Sequence, residues 1–324
     1  MARVGWPDMR HAGPADGSLR HGEESPARAP DSLTSMAPTK DLTDDLRLAH
    51  VLADQADAIT INRFKAADLR VSNKADATHV TDADTAVEEA LRSVLGRTRP
   101  RDAIHGEEMA DTGWGPRRWV IDPIDGTANF LRGVPVWATL IALMNGDQVE
   151  VGVVSAPALN RRWWAATGLG AYTGKSLLNA TQIHTSGVST LADASLSYSS
   201  LHGWVGAGRG LQFGELMRSV WRTRAYGDFW SYMLVAEGVV DIATEPELAL
   251  HDMAALDVIV REAGGTFTSI DGDDGPVGPG ALATNGPLQD EVTAMLAEFA
   301  DEEEPDETEE SIIIVGPRGA PRHG

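Results

Sequence analysis

The chain has 324 residues with 48 acidic side chains against 27 Lys and Arg, a formal charge of -21 and no Cys. At 42% apolar and 23% charged, the composition is that of a globular protein of one large or two ordinary domains, and no apolar run approaches the roughly 18 residues of a membrane helix. The acid excess excludes a nucleic-acid binder built on clustered Lys and Arg, and the absence of Cys excludes a disulfide framework, a thiolate zinc site and a cysteine nucleophile. A cytoplasmic protein without nucleic-acid or membrane partners fits these facts.

Residues 1–38 are rich in Gly, Pro, Ala, Arg and His and contain no apolar stretch of the signal-peptide kind, so they are expected to form a disordered leader, and Met36 is an alternative translation start. A folded domain is expected over 39–299, with an N-terminal α+β half over about 39–185 and a C-terminal α/β half over about 186–299. Residues 300–324 form an acidic tail. From Glu298 to Glu310 nine residues are acidic and none is basic, and such a block repels itself.

The first long helix is expected from Leu42 to about Phe64, with Leu46, Ala49, Leu52, Ala53, Ala56 and Ile59 on one face. A second is expected from about Asp82 to Leu95, where Val87, Ala90, Leu91, Val94 and Leu95 keep the helical period and Thr81 is placed to cap. Strands are expected at Trp119 to Asp122, Trp137 to Met144 and Gln148 to Ser155, with Asn145-Gly146-Asp147 turning the last two into a hairpin. Further helices fit 212–222, 229–238, 252–263 and 287–299, the third closed by Ala263-Gly264-Gly265. Helical and strand patterns thus alternate, which predicts a layered α/β or α+β domain.

The chemistry concentrates in Trp119-Val120-Ile121-Asp122-Pro123-Ile124-Asp125-Gly126-Thr127. An apolar strand ends in a carboxylate, Pro123 is expected to stop the strand, and Asp125 follows three residues later, so both acids should face one volume. Gly126 and Thr127 start a short helical turn through Asn129 and Phe130, whose backbone N–H groups offer an anion site. Two carboxylates beside an anion cradle require a cation between them and the anion, and Mg2+, held by one or two carboxylates plus phosphate oxygens and water, fits. The i, i+3 spacing differs from the D-x-D of aspartyl-phosphate enzymes, and no pair of His stands at metal-ligand spacing. What remains is metal-assisted attack of water on phosphorus in line with the leaving group.

Three linked segments carry a resemblance: Gly106-Glu107-Glu108, the run from Trp119 to Phe130, and Asp252-Met253-Ala254-Ala255 with Glu262-Ala263-Gly264-Gly265. Over about residues 41–299 the chain resembles the inositol monophosphatase family of Mg2+-dependent phosphatases. Arg162-Trp163-Trp164-Ala165-Ala166, Ser195 to Leu201 and Val220 to Phe229 are most similar to the actinobacterial histidinol-phosphate phosphatases within it. The resemblance implies an alternating αβαβα layered sandwich, a homodimer, and about two to three Mg2+ ions per site. It implies that Glu107, Asp122 and the carbonyl of Ile124 hold one ion, that Asp122, Asp125 and Asp252 hold another, and that a looser third leans on Glu107. It further implies a water polarised by Thr127, itself oriented by Asp82, and phosphate oxygens on the N–H groups of Gly126 and Thr127. Lys74 stands where the family commonly has a lysine.

For the substrate, the resemblance points to L-histidinol phosphate, with inositol 1-phosphate or a broad range of sugar phosphates as the alternative; a catalytically silent regulatory protein on the same scaffold is the reading of another class. A leaving group carrying an ammonium and an imidazole calls for acids beyond those that hold metal. Glu245, seven residues before Asp252, and Asp228 are the candidates, with Arg224 bracing them or reaching across a subunit contact. His251 replaces the tryptophan common before the metal-binding Asp and places a titratable group beside it.

Overall fold

In the computed structural model residues 42–73 and 79–297 are described; Met36, Lys74, the leader and the acidic tail lie outside them. In chain order the elements are α1 (Thr43–Arg63), β1 (Val71–Asn73), β2 (His79–Thr81), α2 (Asp82–Thr98), β3 (Ala103–Gly106), β4 (Arg117–Asp125), α3 (Thr127–Arg132), β5 (Ala138–Asn145), β6 (Gln148–Ala156), β7 (Arg161–Ala166), β8 (Gly170–Ser176) and β9 (Asn179–Gln182). There follow β10 (Ser195–Ser197), α4 (Leu201–Gly206), α5 (Gly210–Ser219), β11 (Arg222–Arg224), α6 (Asp228–Ala236), β12 (Ile242–Glu245), α7 (Leu250–Glu262), β13 (Thr266–Thr268), β14 (Ala281–Thr284) and α8 (Gln289–Leu296).

A seven-stranded sheet runs in the order β3-β4-β5-β6-β7-β8-β9, antiparallel except for the β3/β4 edge. Both of its faces are covered, which is why its central strands read as unbroken apolar runs. On β5, Ile141 and Leu143 join the core beneath α1 and α2, whereas Ala138, Leu140, Ala142 and Met144 join the core that contains α6 and α7. The second sheet, β11-β10-β12-β14-β13, packs against the other side of α6 and α7, and α4, α5 and α8 cover its far face around Trp204, Phe213, Leu216 and Val292. The result is the expected αβαβα layered sandwich.

Local signals explain several boundaries. Thr81 caps α2: its hydroxyl accepts from the N–H groups of Ala83 (3.1 Å) and Asp84 (3.4 Å), and Asp84 returns a carboxylate oxygen to the Thr81 N–H (2.8 Å). The helix expected over 212–222 ends at Ser219, because Val220 is extended and leads into β11.

Pro123 does not stop its strand. β4 runs on to Asp125, with Asp122 opposite Leu140 and Asp125 opposite Ala138. One extra residue is inserted between those pairs, so the proline occupies a bulge, where a missing N–H breaks no ladder bond. The bulge also turns Asp122 and Asp125, three residues apart, towards one volume.

Candidate metal centre and its acidic pocket

Asp122, Asp125 and Asp252 each offer a carboxylate oxygen, and the three oxygens lie within 4.8 Å of one another. Asp122 is buried at 1% exposure, and one of its oxygens has no hydrogen-bond partner. Asp252 comes from the first turn of α7, where its other oxygen accepts from the Ala249 N–H at 2.7 Å. Asp252 thus stands at the start of the helix expected over 252–263 and in the cluster at once.

Glu107 follows β3 directly, and its backbone N–H donates to the Ile121 carbonyl at 3.2 Å, which fixes it beside the end of β4. Burial first, then the charges of Glu107, Asp125 and Asp252, push the Asp122 carboxyl well above the ordinary carboxylate range. Burial and the charges of Asp228 and Asp252 do the same to Asp125. Asp252 is raised as well, chiefly by burial, against the opposing influence of His251. Four acids crowded in a desolvated space and an orphaned carboxylate oxygen are the donor set of a hard divalent cation. The residues fit a metal ion.

The short helix α3 stands at the end of β4. Gly126 caps it with φ 81°, a left-handed conformation natural for glycine, and a β-carbon there would sit 3.0 Å from the Asp228 carboxylate. Phe130, on α3, packs edge-on against Trp137 with ring centres 5.0 Å apart, and both are buried with Ile124. Gly126 and Thr127 thus occupy the helix N-terminus expected of them.

The expected pairing of Thr127 with Asp82 is not formed. The Thr127 hydroxyl donates to the Ile124 carbonyl at 3.0 Å, and Asp82, one-third exposed at the start of α2, accepts from Arg63 at 2.7 Å with one oxygen while the other is buried without a partner. Asp84, two residues on, is fully buried, has an unpartnered carboxylate oxygen, and is pushed up to about 6 by burial and the charge of Glu107 against the pull of its Thr81 bonds. The acid that faces the cluster is Asp84. Its position three residues after a capping threonine is the signal that could have found it.

Glu245 and Asp228 both reach the same volume. Glu245 is pushed up to about 8, mainly by burial and then by Asp228 and Asp252; Ser199 donates to one of its oxygens, and the other is buried without a partner. Asp228 is pushed up to about 6 by burial, opposed by a 2.7 Å bond from the Asn129 amide and reinforced by Asp252. Tyr232, Ser199 and Asn129 were not visible as pocket residues in the sequence. Tyr232 carries a buried, unpartnered hydroxyl among the charges of Glu245, Asp125 and Asp252.

Arg224 does not brace these acids. It lies exposed on the edge strand β11, and its guanidinium donates to the adjacent Thr223 carbonyl at 2.7 Å. His251 does stand beside the cluster, with Nε2 3.7 Å from an Asp252 oxygen and its ring 6.1 Å from that of His105.

The inositol monophosphatase family model matches residues 41–303. The chain belongs to this family. Among its relatives in the family, the histidinol-phosphatase of Streptomyces coelicolor is 62% identical over 260 residues, covering 79% of this chain and 98% of that one. The histidinol-phosphatase of Mycobacterium tuberculosis is 56% identical over 254 residues, covering 78% and 98%. Among solved structures, the extragenic suppressor protein suhB of Bartonella henselae superposes with a TM-score of 0.72 at 26% identity, covering 80% of this chain and all of that one. Among the described residues, no helix is long and apolar enough to cross a membrane.

Proposed function

We propose that this protein hydrolyses L-histidinol phosphate to L-histidinol and phosphate, with Mg2+ held by Glu107, Asp122, the Ile124 carbonyl, Asp125 and Asp252. The observation that carries the substrate is the pair of acids beyond the metal cluster: Glu245 and Asp228 share its volume and have no cationic partner among the described residues. A leaving group with an ammonium and an imidazole supplies the missing positive charge, whereas a neutral polyol does not. The high identity to two histidinol-phosphatases supports the same choice.

Bound Mg2+ supplies charge neutralisation for the phosphate and lowers the pKa of a water. The chain's own residues do the rest. The Thr127 hydroxyl donates its proton to the Ile124 carbonyl, which leaves its oxygen to accept a hydrogen bond from the attacking water and so to orient it. Asp84 stands in place of Asp82 as the acid of this step: a buried carboxylate pushed up to about 6, suited to take up the proton that the attacking water releases. Gly126 and Thr127, at the start of α3, receive the phosphate oxygens. The free oxygen of Glu245 and the carboxylate of Asp228 bind the cationic end of the alcohol. A cytoplasmic homodimer belongs to the same reading and rests on the family likeness.

The test is phosphate release from histidinol phosphate, inositol 1-phosphate and fructose 1,6-bisphosphate side by side, with Mg2+ and with a chelator. Histidinol phosphate should have the highest kcat/KM, and the chelator should stop turnover. A preference for inositol 1-phosphate would overturn the substrate, metal-independent turnover the mechanism, and inertness towards all three would favour a silent scaffold.

A further inference from the structure

A second carboxylate–guanidinium pair lies behind the cluster, outside every role given above. Glu88 is completely buried on α2, between the core residues Val87 and Leu91. A buried acid is costly unless its oxygens are paired, and here both are. One Glu88 oxygen accepts from the Glu108 N–H at 2.8 Å; the other accepts from the Met109 N–H at 3.2 Å and from Arg92 Nε at 2.8 Å. Arg92, one turn along, reaches further: Nη2 donates to the Met109 carbonyl at 3.1 Å and Nη1 to the Thr112 hydroxyl at 3.2 Å. Thr112 is itself paired with Ile104 of β3 through both backbone groups, at 2.8 and 3.0 Å. Each of these hydrogen bonds beyond α2 falls on residues 108–112, the loop that begins at Glu107.

Gly106 makes this approach possible. A β-carbon at that position would lie 2.1 Å from the Glu88 carboxylate. Asp84, Glu88 and Arg92 stand at successive i+4 positions, so one stripe of α2 faces the Glu107 loop throughout. The stripe matters there, because the charge of Glu107 raises Asp122, Asp252 and Asp84, all acids. Without a restraint, like charges relax apart.

We infer that Glu88 and Arg92 are positioning residues that hold the Glu107 loop, and hence the Glu107 carboxylate, in place for a divalent cation. The inference rests on the reading of Glu107 as a ligand. The pair does not touch substrate. It sets how much of the site is already built when the ion arrives, and so governs ion affinity more than the rate of the loaded enzyme.

The experiment is calorimetric titration of Mg2+ into the metal-stripped full-length protein, with kcat measured at saturating Mg2+. It compares the wild type with Glu88→Gln, Arg92→Leu, Arg92→Lys and Glu107→Gln, each checked for folding by circular dichroism. Glu88→Gln and Arg92→Leu should weaken Mg2+ binding about tenfold or more, the range for residues that orient metal ligands. Their kcat at saturating Mg2+ should stay within about twofold of wild type, a split that general damage to the fold does not produce. Arg92→Lys keeps the charge beside Glu88 but not the reach to Met109 and Thr112, and should fall between. Wild-type Mg2+ affinity in folded Arg92→Leu would overturn the clamp even if Glu88→Gln failed to fold. Full affinity and full kcat in Glu107→Gln would instead overturn the ligand reading on which the clamp depends.

Discussion

The backbone N–H of Phe229 donates a 2.8 Å hydrogen bond to the Asp125 carboxylate, across 104 positions of sequence. This bond fastens the end of β4 to the first turn of α6 and carries Asp228 into the volume shared by Asp122 and Asp252. It also gives one oxygen of Asp125 a fixed partner and leaves the other for a ligand.

Asp125→Asn should therefore keep the fold and lose the chemistry. The amide oxygen can still accept from Phe229, while turnover should drop at least ~100-fold, roughly 2.7 kcal/mol of transition-state stabilisation. In the metal-free protein the same change should stabilise. The folded Asp125 carboxyl lies well above 3.8, so the unfolded chain ionises first and the folded charge costs stability at neutral pH. Removing it should raise the chelated Tm by about 2–4 °C per kcal/mol recovered. A lower Tm than wild type in chelator would contradict this account.

Asp84→Asn and Asp82→Asn should separate cleanly. The first removes the buried acid beside Glu107 and should reduce kcat by about 100-fold or more, with little change in KM. The second loses a pair with Arg63 that is one-third exposed on the acid side, worth about 0–1 kcal/mol in stability, with kcat nearly intact. Steady-state kinetics on both variants decides between them.

Asp228→Asn tests substrate choice. Asp228 holds φ 48°, a conformation that asparagine tolerates, and the new amide oxygen can still accept from Asn129. The expected outcome is a drop in kcat/KM of about tenfold or more for histidinol phosphate, roughly 1.4 kcal/mol, and little change for inositol 1-phosphate. Equal losses on both would make Asp228 a structural residue.

Two buried groups should tilt the stability of the metal-free protein in opposite directions with pH. Glu245 is raised from 4.5 to about 8, so its contribution is fully present below 4.5 and is lost as pH climbs towards 8. His50, buried against Trp164 and beside Arg162, is lowered from 6.5 to about 4; its contribution is present above 6.5 and is lost as pH falls towards 4. Urea midpoints in chelator, read from pH 5 to 8, should lose a decline with pH across the whole range in Glu245→Gln, and should lose a rise with pH below 6.5 in His50→Phe. Each effect should reach at most a few kcal/mol.

The layered fold was legible wherever a period ran long enough to be seen. α1, α2 and the β5/β6 hairpin follow from apolar spacing and one Asn-Gly turn, and their observed ends fall within a few residues of expectation. β10, β11 and β13 are three residues each and carry no period at all, so only the sheet they complete reveals them. Pro123 misled because a bulge cannot be read from one strand without its partner. The ligand acids are legible as a motif, but the resemblance places Asp82 where the capping geometry of α2, which pairs Thr81 with the residue three on, puts Asp84. Glu88 and Arg92 resemble surface charges in the sequence. Only the packing of α2 against the β3 loop shows that Glu88 is enclosed and that both hold a backbone in place.

The last acid of the cluster, Asp252, rides on α7, the layer gripped by both sheets. An emerging polypeptide therefore cannot assemble the full ion site from β3, the residue after it and β4 alone, although these already carry Glu107, Asp122 and Asp125. The full set of acids is gathered only once α7 lies against the first sheet, so the ion site reports on the packing of a helix far along the chain.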